Sequence, residues 1–171
     1  MTNSPKCILR REAHILHYLK AFGIPKLKRY GSNSEYNILV MELLGESLEK
    51  LHQTQKSFSI KTTYMLGVQI IDRIEYFHYK QFVHRDVKSD NFVMGRGSKS
   101  HIVYVLDFGL SKKYWSSSKK SHIPFIKGKL LTGTLRYSSI NALCGKEQSR
   151  GDNLESIGYI IMYFLLGKLP W

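Results

Sequence analysis

Two short polar motifs constrain this chain more than any other feature of its sequence. The first is HRDVKSDN at residues 84–91, and the second is DFG at residues 107–109, which begins sixteen residues beyond Asn91. Short β-like runs precede both motifs, at residues 82–83 and 102–106. Asp, Asn and Gly are also ordinary turn residues, and DFG alone would indicate little. The occurrence of the two motifs together, each behind a predicted strand, indicates a polar functional site.

Hydrophobic periodicity predicts the elements around these motifs. Apolar residues recur at three-residue steps within residues 61–80, which favours an amphipathic helix. Residues 154–166 are apolar nearly all round, a pattern typical of a buried helix. Shorter elements are predicted as a helix over 12–19, a strand over 36–41, a helix capped by Ser47 and reaching 53, and a strand over 92–94. The sequence therefore predicts a mixed α+β chain.

Composition excludes several classes of protein. The 171 residues carry a net charge of +13 and are 43% hydrophobic, which suits a globular rather than a disordered chain. Cys7 and Cys144 lack metal-ligand spacing and are interpreted as two buried thiols in a reducing compartment. There is no apolar stretch for a secretory signal, and the longest apolar run, 158–167, is too short to cross a bilayer. We expect a cytoplasmic or nuclear protein that makes no membrane contact.

The positive charge is concentrated in one segment. Residues 112–150 hold nine Lys or Arg and a single acid, Glu147. The segment is also rich in Ser and Gly, so it is predicted to be a long mobile loop. Such a field attracts phosphates, acidic peptides or nucleic acid, although a merely solvated surface would have the same composition.

The two motifs resemble the catalytic loop and the metal-binding turn of eukaryotic protein kinases. The resemblance implies that Asp86 orients the attacking hydroxyl and accepts its proton, and that Lys88 places positive charge on the transferred phosphate. It also implies that Asn91 and Asp107 bind magnesium, which prefers oxygen ligands. ATP and Mg²⁺ are therefore the implied cofactors.

Further segments resemble the casein kinase I family of serine/threonine protein kinases. MELLGESLE at residues 41–49 looks like its hinge, and LTGTLRYSSIN at 131–141 is similar to its replacement for the usual Ala-Pro-Glu. The likeness continues through residues 145–150 and 154–159 and runs from about Glu12 to the last residue. It implies a protein-kinase-like fold with a mostly helical large lobe, and phosphorylation of Ser or Thr in acidic or pre-phosphorylated protein substrates.

The resemblance also assigns binding residues. It implies an adenine site formed by Met41, Glu42, Leu44, Val93 and Leu106, although the apolar members suit plain core packing equally well. It implies that Arg85, Lys129 and Arg136 bind an anion near the substrate site, which would give the basic segment a purpose.

The sequence departs from the family pattern in several places. No glycine-rich loop and no strand lysine precede Glu12, which stands where kinases carry the helix glutamate of the ATP site, so the resemblance implies an ATP-binding role for Glu12. Without that lysine, Glu12 is equally well interpreted as a surface residue. GRG at residues 95–97 is predicted to be a hairpin turn rather than a substitute phosphate loop. Asn153 replaces an Asp that holds the catalytic loop; Asn can still accept a hydrogen bond but brings no charge.

These departures predict an incomplete kinase domain. Residues 1–44 would be a remnant of the small lobe with the hinge, and residues 45–171 a large lobe with a shortened C-terminal end. Exposed apolar faces are then expected on residues 36–41 and 154–166, with marginal stability or association as the result.

Three functions remain open at this point. The first is the kinase activity described above. The second is a catalytically impaired, truncated paralogue that acts as a binding or regulatory protein. The third, nucleic-acid binding, rests on electrostatics alone and is the least favoured.

Overall fold

The computed structural model describes residues 5–171, with side chains from residue 8 onward. Five α-helices lie within this part of the chain: α1 (Pro5–Tyr18), α2 (Leu48–Gln55), α3 (Ile60–Tyr79), α4 (Ile140–Leu143) and α5 (Arg150–Leu166). The strands described are β1 (Leu27–Ser32), β2 (Asn37–Met41), β3 (Phe82–Val83), β4 (Phe92–Met94), β5 (Val103–Val105), β6 (Lys112–Lys113), β7 (Trp115–Ser116) and β8 (Ser121–His122). They pair antiparallel as β1–β2, β3–β6, β4–β5 and β7–β8. The predicted α+β class is confirmed.

The two longest helices form the centre of the core. Ile70, Ile74 and Phe77 of α3 and Ile160 and Phe164 of α5 are completely buried. Full burial of each such side chain contributes about 1.5–3 kcal/mol to the free energy of folding. The packing of these two helices is therefore a main source of stability for the fold.

Local sequence signals set where the helices begin and end. The side chain of Ser59 accepts the Thr62 N–H at 3.1 Å at the start of α3, and the Ser47 side chain accepts the Lys50 N–H at the start of α2. The Ser149 N–H donates to Asp152 Oδ2 at 2.6 Å at the start of α5. The predicted α2 and α3 are confirmed because caps and periodicity are local properties.

Two elements near the N-terminus differ from prediction. Helix α1 begins at Pro5, seven residues before the predicted start. The prediction missed its first turns because they lack the regular apolar spacing on which it was based. Strand β1 has the sequence LKRYGS, which carries no alternating apolar pattern. Pairing with β2, from Ser32 opposite Asn37 to Leu27 opposite Met41, stabilises it instead.

The basic segment 112–150 is not one long loop, so that prediction is wrong. It contributes β6 to a pair with β3, forms the β7–β8 hairpin, and continues through a 3₁₀ turn at Leu135–Tyr137 into α4. Its two halves are also joined, since the Glu147 N–H donates to the Ile126 carbonyl at 2.8 Å. Backbone hydrogen bonds between distant residues order a stretch whose composition resembles a loop.

The predicted turn at residues 95–97 is confirmed, whereas the interpretation of Cys144 is not. Residues 95–97 lie in the connection of the β4–β5 hairpin, as predicted, with the Gly95 N–H donating to the Ile102 carbonyl at 2.8 Å. Cys144 is exposed, so its interpretation as a buried thiol is wrong; it follows α4, which lies at the surface. The interpretation of Cys7 lies outside the described side chains.

Apolar side chains remain exposed on the elements where they were expected. Ile38 and Val40 of β2 are 56% and 40% exposed. In α5, Leu154 and Leu166 are 50% and 63% exposed, so this helix is buried only on the face that meets α3 and the rest of the core. Within residues 5–171, no helix combines the length and the apolar character needed to cross a membrane.

Candidate active site

The β4–β5 hairpin brings the two polar motifs together. Its register pairs Phe92 with Val105, and the Leu106 N–H donates to the Asn91 carbonyl at 2.8 Å. Asn91 therefore stands just before one strand and Asp107 just beyond the other, at the same end of the hairpin. Magnesium is commonly held by one or two protein oxygens together with substrate phosphates, so this pair of oxygen-bearing side chains fits such an ion.

Asp86 is a buried carboxylate held by several donors. Its Oδ1 accepts a hydrogen bond from the Thr134 hydroxyl at 2.7 Å, and its Oδ2 lies 3.2 Å from the Lys88 ammonium. The Asn91 amide donates to the Asp86 backbone carbonyl at 2.9 Å. The structure thus places the three predicted catalytic residues, Asp86, Lys88 and Asn91, in one hydrogen-bonded group.

Gly133 and Thr134 contact this group, although sequence reasoning did not single them out. Gly133 has a φ of +102°, and a Cβ built on it would lie 2.4 Å from the Arg85 carbonyl oxygen. Only glycine fits so close to the catalytic loop. The one sequence signal was the glycine between two threonines within residues 131–141, which was used only as a marker of resemblance.

The His84 ring holds the catalytic loop through two hydrogen bonds. The Asp86 N–H donates to His84 Nδ1 at 3.3 Å, and His84 Nε2 lies 3.0 Å from the Leu106 carbonyl, to which it must donate. Burial lowers the pKa of His84, against weaker opposing contributions, so the ring is neutral with its proton on Nε2. The aromatic ring of Phe108 lies on its other side, stacked on Phe77 at 5.3 Å.

Asn153 accepts two hydrogen bonds in place of a carboxylate. Its Oδ1 receives the His84 backbone N–H at 2.8 Å and His78 Nε2 at 3.2 Å. Asn153 is itself buried. The expectation that an asparagine can still accept a hydrogen bond here is confirmed by this geometry.

Glu12 faces the DFG turn rather than open solvent. Burial raises the pKa of Glu12, the negative charge of Asp107 raises it further, and the Phe108 backbone partly opposes the shift. Asp107 itself has a φ of +62° and accepts the Gly109 N–H at 3.3 Å. Of the two interpretations left open by the sequence, the geometry favours a residue near the site. The repulsion between the two carboxylates makes a cation favourable at this position.

The residues predicted to hold adenine fall into two groups. Leu44, Val93 and Leu106 belong to one small apolar cluster together with Ile102 and Tyr104, separate from the main core. The segment that resembles the hinge, residues 41–49, is hydrogen-bonded to β4, since the Gly45 N–H donates to the Met94 carbonyl at 2.7 Å.

Met41 and Glu42 lie apart from that cluster. Met41 packs against the main core. The Glu42 carboxylate accepts the Lys26 N–H at 2.8 Å and lies 3.9 Å from the Lys99 ammonium. The Glu42 side chain therefore contacts Lys26 and Lys99 and does not belong to the apolar cluster.

Two of the three predicted anion-binding residues converge on a buried carboxylate. Arg85 and Lys129 each lie 3.5 Å from Glu147, and Lys112 lies 2.9 Å from it. Burial would raise the pKa of Glu147, but the three cations outweigh that effect and lower it overall. Sequence reasoning missed Lys112 and the role of Glu147, because neither lies near Arg85 along the chain.

Arg136 contacts a different group of residues. Its guanidinium lies 3.7 Å from Glu49 and 4.2 Å from the centre of the Tyr163 ring. Buried Glu49 also accepts hydrogen bonds from the Ser89 hydroxyl at 2.5 Å and the Tyr163 hydroxyl at 3.0 Å. Ser89 lies 2.9 Å from the Tyr137 hydroxyl, so this network joins α2, the catalytic loop and α5.

The buried carboxylate of Asp86 lies beside Lys88, and the oxygen-bearing side chains of Asn91 and Asp107 stand at the end of the adjoining hairpin. This arrangement defines a candidate phosphoryl-transfer site on an α+β scaffold. The family model of the protein kinase domain matches residues 2–171. The chain therefore belongs to the protein kinase family. This membership confirms the predicted kinase-like fold and the kinase class, and protein kinases generally use ATP and Mg²⁺.

Proposed function

We propose that this chain is a serine/threonine protein kinase of casein kinase I type, which transfers the ATP γ-phosphate to acidic or pre-phosphorylated protein substrates. The observation that carries the proposal is the convergence of Asp86, Lys88 and Asn91, with Asp107 at the end of the same hairpin. The casein kinase I assignment rests on the resemblance of residues 41–49 and 131–141.

Each residue of the group has a role in this proposal. Asp86 orients the substrate hydroxyl and accepts its proton, while Thr134 holds one of its carboxylate oxygens. Lys88 places positive charge next to the transferred phosphate. Asn91 and Asp107 would hold magnesium, which when bound neutralises charge on the triphosphate.

The substrate preference is supported by the cations near the loop. Arg85, Lys112 and Lys129 surround the single carboxylate of Glu147, which leaves this surface with an excess of positive charge. Arg136 is exposed near the catalytic loop and has only Glu49 as a carboxylate partner among residues 5–171. Both positions favour acidic or phosphorylated side chains of a bound protein.

The experiment that tests this proposal is phosphate transfer from labelled ATP to an acidic, serine-containing peptide. Asp86→Asn is expected to lower the rate by about 10²–10⁴-fold, since that is the typical contribution of general base catalysis. Asp107→Ala is expected to abolish magnesium-dependent transfer. Asp90→Asn is the matched control, because Asp90 is an exposed carboxylate in the same loop. Equal rates for the Asp86 and Asp90 variants would contradict the assignment.

The alternative is a catalytically impaired, truncated paralogue that binds acidic peptides as a regulatory protein. One observation favours it: Glu12 lies near Asp107, and its carboxylate forms no ion pair with any side chain described between residues 8 and 171. Calorimetric titration with Mg-ATP and with a phosphopeptide distinguishes the two proposals. Saturable phosphopeptide binding by a folded chain that does not bind Mg-ATP would support the regulatory protein.

A further inference from the structure

A cavity of about 640 Å³ lies between the end of α1, the loop that follows it, the hinge and the β4–β5 connection. Its volume falls within the range of about 300–1,000 Å³ that is typical of small-molecule sites. Asp86, Lys88, Asn91 and Asp107 do not line it. It is therefore separate from the residues proposed to transfer phosphate.

The walls of the cavity are mainly apolar. Much of the lining consists of Leu16 of α1, Leu19 and Ile24 of the loop that follows it, and Leu27 of β1. Phe22 stands at the cavity with 62% of its surface exposed. Such a lining suits the hydrocarbon part of a ligand, which gains free energy by leaving water.

The loop that forms one wall is held in place by a buried arginine. Arg73 of α3 donates to the Phe22 carbonyl at 3.0 Å and to the Val103 carbonyl at 3.2 Å. The Val105 N–H donates to the Gly23 carbonyl at 3.0 Å. Gly23 has a φ of +76°, and a Cβ there would lie 2.2 Å from Arg73 Nε, so no larger residue fits. The cavity is therefore preformed, and a ligand would not have to order this loop.

The polar part of the lining has an excess of positive charge. Lys20, Lys26 and Lys99 line the cavity together with one carboxylate, that of Glu42. Glu42 already accepts the Lys26 N–H and lies near the Lys99 ammonium. The ammonium groups of Lys20 and Lys26 form no ion pair with any residue between 5 and 171. Two cations thus stand free beside an apolar wall.

We propose that this cavity binds a small amphipathic anion, namely a carboxylate carried on a hydrocarbon chain. Its charged head lies between Lys20 and Lys26, and its chain packs against Leu16, Leu27 and Phe22. The proposal does not depend on phosphate transfer, because it concerns binding alone.

The test uses decanoate as the probe, below its micelle concentration, in an NMR titration of the full 171-residue chain. Saturable shifts are expected at the amides of Phe22, Gly23 and Leu27. Decyltrimethylammonium has the same chain and the opposite charge, and it is expected to give no saturable shift there. Equal binding of the two probes, shifts centred on the exposed residues of α5, or no saturable shift would overturn the proposal.

Charge reversal gives a second, independent test. The double variant Lys20→Glu/Lys26→Glu is expected to weaken decanoate binding at least tenfold. Lys119→Glu/Lys120→Glu is the matched control, since these lysines are exposed, lie outside the cavity, and the change in net charge is the same. Binding by the control is expected to stay within twofold of the unmodified chain. All four lysines are exposed, and equal thermal unfolding of the two variants checks that both fold. Equal weakening in the two variants would mean that decanoate responds only to net charge.

Discussion

Asn153 illustrates how a single uncharged side chain holds the catalytic loop. Its Oδ1 is the partner of the His84 backbone N–H and of the His78 ring. His84 and Asn153 are buried, so water cannot replace the acceptor of the His84 N–H if it is lost. The hydrogen bonds, and not a formal charge, therefore connect α3, the loop and α5.

Asn153→Ala is expected to lower the free energy of unfolding by about 1–3 kcal/mol, because it leaves the buried His84 N–H without an acceptor. Asn153→Asp restores an acceptor and should recover much of that loss. Asn141→Ala removes an asparagine that is exposed, and it serves as the control. Urea unfolding measures all three. A cost for Asn153→Ala no larger than that of Asn141→Ala would show that these bonds contribute little.

The buried His84 and the half-buried His78 predict a loss of stability in mild acid. Burial lowers the pKa of His84 and of His78 below the ordinary value of 6.5. Below pH 6.5 the unfolded chain therefore binds protons that the folded chain does not, and the free energy of unfolding falls. The loss is at most about 1.4 kcal/mol per histidine for each pH unit.

Urea unfolding at pH 7.5 and pH 5.5 measures this effect. His78→Gln is expected to reduce the difference between the two pH values. His101→Gln removes an exposed histidine and is expected to leave the difference unchanged. The same pH dependence in the His78 variant and the unmodified chain would contradict the prediction.

At the scale of elements, the site depends on contacts between the catalytic loop and the segment that precedes α4. Thr134 hydrogen-bonds Asp86, and Gly133 lies against the Arg85 carbonyl. Arg85 has a φ of +69°, so the loop itself adopts an uncommon backbone conformation. The segment that contains Gly133 and Thr134 thus contacts the catalytic loop at Arg85, where the backbone conformation is least favourable.

Gly133→Ala is expected to lower the free energy of unfolding by at least about 1 kcal/mol, since a left-handed conformation alone costs roughly 1–2 kcal/mol for other residues. The added methyl group also meets the Arg85 carbonyl, so transfer activity should fall at least tenfold. Gly128→Ala is the matched control. Gly128 has a φ of +72°, but a Cβ there has no neighbour within 4 Å. Equal effects of the two substitutions, by urea unfolding and by transfer assay, would refute the steric argument.

At the scale of the whole molecule, apolar residues remain exposed on the outer face of α3 as well as on β2 and α5. Tyr64, Met65 and Val68 of α3 are each more than half exposed. Continuous apolar surface of this kind promotes contact with another molecule. Association was predicted from the sequence, and the exposed apolar surface supports that prediction.

Sedimentation velocity over a range of protein concentrations tests this prediction. The unmodified chain is expected to show concentration-dependent association, which Met65→Lys/Val68→Glu should reduce. Gln55→Lys/Ser57→Glu adds the same charges to exposed polar positions and should leave association unchanged. A chain that remains monomeric at every concentration would contradict the expectation.

Sequence reasoning succeeded where the relevant signal was local. The apolar period of α3 and the capping residue Ser47 are properties of neighbouring residues, and both elements form as predicted. Strand β1 was missed because its stability comes from pairing with β2. The catalytic group was predicted from the resemblance of its two motifs to those of protein kinases, and each motif is a short run of neighbouring residues.

The sequence by itself determined the two motifs, the helices α2 and α3, and the membership in the kinase family. Only the tertiary structure decided which distant side chains complete the site. Thr134 reaches Asp86 across 48 residues, and Glu147 reaches Arg85 across 62 residues. The physical reason is that helix periodicity and capping act between near neighbours, whereas hydrogen bonds and ion pairs across the fold depend on how the elements pack.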